Sequence, residues 1–146
     1  MMASISRGIV TKINNLSNSV DVLTTIKCLV ACGTLIKENE DSVLVEGREM
    51  YDPLMVLNCQ NSGTTARLLI GLLAGQGINA DFIGDKSLTN RPMNRIIMPL
   101  RKMGLNITND NGFLPIKIQK SILNKIKYTL QVPSAQVKSS LLFAGI

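Results

Sequence analysis

Asn61-Ser62-Gly63-Thr64-Thr65-Ala66-Arg67 runs directly into Leu68-Leu69-Ile70-Gly71-Leu72-Leu73-Ala74. Small hydroxyl-bearing residues and a glycine thus open what reads as a buried helix. The first turn of any helix leaves backbone N–H groups without intrahelical partners, and the helix dipole adds partial positive charge at the same end. Gly63 lets an anion approach the backbone, and Thr64 and Thr65 can cap the helix or donate to a ligand. Such a start is suited to holding a phosphate or a carboxylate. It is equally the start of an ordinary N-capped core helix, and the heptapeptide alone does not choose between them.

The pattern recurs. Pro133-Ser134-Ala135-Gln136-Val137-Lys138-Ser139-Ser140 leads into Leu141-Leu142-Phe143-Ala144-Gly145. Aligning Ala74-Gly75 with Ala144-Gly145 gives an offset of about 70 residues, which lays Thr64 over Ser134. The same offset lays Leu72-Leu73 over Met2-Ala3, so Met1 to Ser6 reads as the tail of an equivalent helix. Between these points, Val22 to Gly33 and Met93 to Gly104 both carry helical apolar spacing and end in a glycine. Each is followed by a strand (Thr34–Lys37; Leu105–Thr108), a polar turn (Glu38–Asp41; Asn109–Gly112) and a second strand (Val43–Glu46; Leu114–Ile118).

The alternation of helices and strands predicts an α/β fold built from units of helix, strand, helix, strand, strand. The units fall at approximately 1–70 and 71–140, together forming one partial domain. Both ends of the chain interrupt an apolar helix, which leads us to expect a piece of a longer protein.

Composition fits a cytoplasmic globular piece, 45% apolar with mean hydropathy +0.20. The N-terminus has no charged lead with a long apolar stretch, and no apolar run is long enough to cross a bilayer, so no membrane partner is expected. Three cysteines and no histidine argue against a zinc site and against Ser-His or Cys-His catalysis. Cys28 and Cys32 share a helix face, Cys59 stands alone, and all three read as buried reduced thiols.

Charge is divided unevenly. Met1 to Asp85 holds six Lys/Arg against nine acids; Lys86 to Ile146 holds ten against Asp110 alone. A basic half implies anionic partners. Nucleic acid is disfavoured, because none of the five Phe and Tyr residues sits in a basic, aromatic-interleaved motif. Small phosphorylated metabolites fit better. In Gly84-Asp85-Lys86-Ser87-Leu88-Thr89-Asn90-Arg91-Pro92-Met93, Pro92 suits the first turn of a helix, and Arg91 would project from its start with a planar fork for carboxylate or phosphate. Asp85 can cap, pair with Arg91 or serve a turn.

These three segments, in this order and spacing, resemble consecutive signatures of the 5-enolpyruvylshikimate-3-phosphate synthase (3-phosphoshikimate 1-carboxyvinyltransferase) family. The resemblance extends along nearly the whole chain, including Asn15-Leu16-Ser17 and Asp21-Val22. It implies the enolpyruvyl transferase fold, an inside-out α/β barrel of repeated βαβαββ units, with about two repeats of one domain present here. It implies transfer of the enolpyruvyl group of phosphoenolpyruvate to the 5-hydroxyl of shikimate 3-phosphate, in chorismate and aromatic amino acid biosynthesis. No metal or organic cofactor is implied, and the full-length enzyme is expected to be monomeric. By the same resemblance Asn61, Gly63, Thr64 and Arg91 belong to the phosphoenolpyruvate site. Ser134 and Ala135 belong to the shikimate 3-phosphate site, and Gln136 lies between the two ligands.

The sequence departs from the family in places. The early Lys-Ser-x-Ser-x-Arg motif is missing. Ser4-Ile5-Ser6-Arg7 lies too close to the following segment to replace it, so Arg7 is not assigned to the site. No carboxylate is a convincing general base, and catalysis by this chain alone is not expected. A related alternative is UDP-N-acetylglucosamine enolpyruvyl transferase, which uses a cysteine a few residues before a comparable Arg-Pro; Lys86 stands roughly there. A third reading is a non-catalytic anion-binding remnant.

Overall fold

Helices and strands are interspersed along the chain. The computed structural model describes residues 1–39 and 41–146. In order the elements are α1 (Met2–Ile5), β1 (Val10–Asn14), α2 (Val20–Ala31), β2 (Leu35–Glu38), β3 (Ser42–Glu46), β4 (Leu57–Asn58), α3 (Gly63–Gly75), β5 (Ala80–Ile83), α4 (Lys86–Thr89), α5 (Asn94–Lys102), β6 (Asn106–Asp110), β7 (Phe113–Gln119) and α6 (Ala135–Ala144). Of the turn expected at Glu38–Asp41, Glu40 lies outside the described residues.

The strands form two sheets with a shared plan. One has the order β1-β3-β2 and is antiparallel throughout; the other has the order β4-β5-β7-β6. Within the second, β5-β7-β6 repeats the first sheet's arrangement, and the two-residue β4 adds a parallel edge beside β5. Strand β7 alternates as a half-buried strand should: Leu114, Ile116 and Ile118 are buried, while Pro115, Lys117 and Gln119 face solvent.

Both sequence-predicted glycine stops hold, with a local consequence for the strands. Gly33 and Gly104 adopt φ of +99° and +103°, a conformation that side chains disfavour. The next amide then turns back to the helix: Thr34 N–H donates to Leu29 O at 3.1 Å and Leu105 N–H to Leu100 O at 3.0 Å. Those two amides serve the helix end, so β2 and β6 begin one residue later than the sequence pattern suggests. Two further expectations are corrected. A short helix, α4, precedes Arg91, and Pro92 lies just before the N-cap Met93 of α5 rather than inside its first turn. Cys59 is not alone: the Cys28 thiol donates to the carbonyl of Asn58, the residue before Cys59, at 3.8 Å, and the neighbouring Cys28 helps raise the Cys59 thiol.

Helix α3 occupies the centre. Leu69, Ile70, Leu72 and Leu73 are fully buried, and small residues complete the same stretch, as expected of a helix covered on all sides. It packs against α2, β7 and, most extensively, α6. The pairs in contact keep a nearly constant offset: Thr64 with Gln136, Gly71 with Ser140, Gly75 with Phe143 and Ala144. The two helices therefore run parallel, with their N-termini at one end. Glycine sets how closely they approach, because a Cβ on Gly71 would collide with the backbone carbonyl of Ser140.

We expect Gly71→Ala to destabilise the chain by about 1–3 kcal/mol through forced separation of α3 and α6. Urea unfolding followed by circular dichroism checks this, and an unchanged midpoint would show that the helices tolerate wider spacing. The thiols supply a second check. All three are buried, and burial pushes the Cys32 thiol up to about 12. Thiolate is the reactive form. The neighbouring Cys28 and burial also raise the Cys59 thiol, so alkylation of Cys32 and Cys59 at pH 8 is expected to be slow in the folded chain and rapid after addition of denaturant.

Candidate functional site

The parallel packing of α3 and α6 brings two helix starts to one edge of the molecule. Ser62 caps α3: its buried Oγ accepts from Thr65 N–H at 3.1 Å and is 2.7 Å from Thr65 Oγ1. Ser134 caps α6, accepting from Val137 N–H at 3.4 Å. Each cap satisfies one amide. The first amides of each helix have no carbonyl one turn back and point outward at the shared end. At this edge Asn61, Thr64 and Ala135 are exposed, Gly63 is buried, and Ser134 and Gln136 are partly buried. The site is a shelf open to solvent.

Two side-chain links tie the sequence-predicted residues together. Gln136 Nε2 donates to Thr64 Oγ1 at 2.9 Å, joining the α6 start to the α3 start. Arg91 Nη2 donates to Asn61 Oδ1 at 2.7 Å and to Ser87 Oγ at 3.2 Å, bringing the α4–α5 linker to the same place. A Cβ on Gly63 would stand 3.5 Å from Arg91 Nη1. Of the residues expected at the site, Asn61, Gly63, Thr64, Arg91 and Gln136 thus lie together. Ser134 and Ala135 precede Gln136 on the neighbouring helix start. Asp85, left open above, caps α4 by accepting from Leu88 N–H at 2.8 Å.

Arg67, to which the sequence motif assigns no role, stands at the centre of the shelf. Its Nη1 donates to Gly63 O at 3.2 Å and to Gln136 Oε1 at 3.1 Å; its Nη2 donates to Pro92 O at 3.1 Å. The detectable signal was a lone charge four residues after Gly63, on the same helix face, in an otherwise apolar stretch. Burial holds the Arg67 guanidinium below its ordinary pKa, and the like charges of Arg91 and Arg95 add to the effect. It remains charged at neutral pH, as arginine does in proteins. Among the described residues the ion pairs are Arg7–Glu49, Arg48–Glu46 and Lys117–Asp81, all away from these three arginines. The guanidinium charges of Arg67, Arg91 and Arg95 thus have no carboxylate partner among the described residues.

Comparison with known proteins defines the class to which this fold, with its two helix starts on one edge, belongs. Residues 1–146 match the family described as EPSP synthase (3-phosphoshikimate 1-carboxyvinyltransferase), and the chain belongs to that family. Curated relatives named 3-phosphoshikimate 1-carboxyvinyltransferase from Caldicellulosiruptor bescii and Ruthia magnifica subsp. Calyptogena magnifica are each 44% identical across 100% of this chain. These alignments cover 35% and 34% of the relatives, so the chain spans about a third of their length. The solved EPSP synthase from Acinetobacter baumannii superimposes with a TM-score of 0.91 at 35% identity, over 99% of this chain and 34% of that one. The enolpyruvyl transferase fold is thereby shared.

Removing the α3 cap tests whether the helix start is held as described. Ser62→Ala is expected to cost about 1–2 kcal/mol. In amide exchange, Thr65 N–H is expected to lose protection first; unchanged protection would mean that another group satisfies this amide.

Proposed function

We propose that this chain supplies an anion-holding part of the site at which the enolpyruvyl group of phosphoenolpyruvate passes to the 5-hydroxyl of shikimate 3-phosphate. In that reaction the hydroxyl oxygen bonds to C2 of the enolpyruvyl group. The bond from C2 to the phosphate oxygen breaks, and the hydroxyl proton is balanced by the departing phosphate. Both reactants are polyanions, so bringing them together requires fixed donors and cations.

The observation that carries the reading is the parallel seating of the α3 and α6 starts, bridged by Gln136 to Thr64 at 2.9 Å. Phosphoenolpyruvate would lie at the α3 start, against the Gly63 backbone, with Arg91 as its cation and Asn61 and Thr64 in support. Asn61 fits a supporting role because it already holds the Arg91 fork. Shikimate 3-phosphate would lie at the α6 start. There the Ser134 hydroxyl, whose oxygen accepts from Val137 N–H, keeps its own proton to donate, and the Ala135 backbone adjoins it. Gln136 stands between the two ligands. None of these residues is a carboxylate, and their work is to bind and orient rather than to move the proton.

No helix is long and apolar enough to cross a membrane among the described residues. A cytoplasmic, monomeric full-length enzyme that uses neither nucleic acid nor an organic cofactor completes the proposal.

Calorimetric titration of the folded chain tests it. Saturable binding of shikimate 3-phosphate is expected, weakened by Ser134→Ala more than phosphoenolpyruvate binding is. Arg91→Ala is expected to weaken phosphoenolpyruvate by roughly 2–3 kcal/mol, about 30- to 150-fold, as for a lost charge-assisted contact. Gly63→Ala is expected to crowd the same ligand. Affinity for both compounds no greater than for inorganic phosphate, in a chain shown to be folded, would count against the assignment.

A further inference from the structure

We infer that Arg67 is a positioning residue that fixes which end of the Gln136 carboxamide faces the ligands, and that it ties the two helix starts and the Arg91 linker into one unit. The inference rests on the functional reading above for what the amide serves, but its geometry stands independently.

An amide side chain has an accepting oxygen and a donating NH2 of nearly the same shape, and only its partners decide which points where. Thr64 leaves the choice open, because a hydroxyl both donates and accepts. Arginine has donors only. With Arg67 Nη1 at 3.1 Å, the oxygen of Gln136 must face the guanidinium, and the NH2 must face Thr64 and the open shelf. One hydrogen of that NH2 is used by Thr64; the other is free to point at an anion. Reversing the amide would set NH2 against guanidinium and turn the acceptor oxygen toward an incoming anion.

Arg67 can do this because it is held from several directions. Its Nη1 also donates to Gly63 O, and its Nη2 donates to Pro92 O, the carbonyl next to Arg91. Its own carbonyl accepts from the buried Ser140 Oγ at 2.7 Å, which fixes the α3 turn that carries it. One guanidinium thus links the Gly63 loop, the Arg-Pro linker and the start of α6. A Cβ on Gly63 would come within 2.6 Å of Arg67 Nη1. Even the smallest side chain there would therefore act on the guanidinium as well as on a ligand.

A merely structural pin would hold α3 and α6 together without setting the amide's direction. Nuclear magnetic resonance of the folded chain separates the two. In the unaltered chain the Gln136 side-chain NH2 is expected to give rigid, well-separated resonances. In Arg67→Met, which keeps much of the aliphatic stem and removes the fork, the resonances are expected to become averaged while the backbone spectrum of α3 and α6 persists. Unchanged NH2 resonances in that variant would overturn the inference.

The second measurement leaves Arg67 in place. The carboxyl introduced by Gln136→Glu would put its oxygens where the amide oxygen now sits. It is expected to titrate below the ordinary glutamate value, because the Arg67 guanidinium favours the charged form. A normal titration would show that the side chain does not stand against the guanidinium and would overturn the inference even if Arg67→Met fails to fold. Neither measurement needs a ligand, so failure here is distinct from failure of the calorimetric test, which concerns what the shelf binds.

Discussion

The contact between α3 and α6 at Gly71 and Ser140 is the constraint on which the rest depends. Two helices approach to backbone contact because glycine removes the atom that would keep them apart. That closeness fixes their parallel register, and the register places Thr64 beside Gln136 and the two serine caps at one end. The shelf is a consequence of helix packing many residues away. A larger residue at position 71 would disturb the site without touching it.

Much of the fold was legible because it is written in local signals. Glycines after α2 and α5, the apolar run of α3 and the alternation in β7 each act within a few residues. What escaped was decided by partners distant in sequence or by small differences in turn geometry. The late starts of β2 and β6 follow from amides that bond back into the preceding helices. Helix α4 is a single turn held by Asp85, and its sequence also suits a plain turn. The meeting of Cys28 with Cys59 depends on how α2 lies against the segment before α3, which neither local sequence specifies.

The candidate site divides in the same way. Asn61, Gly63, Thr64, Ser134 and Gln136 lie at helix starts, where backbone donors are predictable, but a capped core helix starts in the same way, and their assignment to a site rests on the family resemblance. The same holds for Arg91, since an arginine before proline also suits a plain helix start. Arg67 received no role, because its importance comes from the convergence of Gly63, Gln136 and Pro92 around one guanidinium. Sequence spacing could indicate that Arg67 shares a face with Gly63; it could not indicate that Gln136, 69 residues later, presents its oxygen there.

Parallel alignment of α3 and α6 also has an electrostatic consequence. Side-by-side helices pointing the same way set their positive ends next to each other, and Arg67, Arg91 and Arg95 add charge of the same sign. The shelf is thus a point of like-charge repulsion within an otherwise well-packed molecule. Under the proposed function, an anion bound there would relieve that repulsion for both helices at once, and so would belong to the energetics of folding as much as to recognition. On that reading occupancy and rigidity rise together, because the region that would gather the ligand is the region that the ligand would hold still.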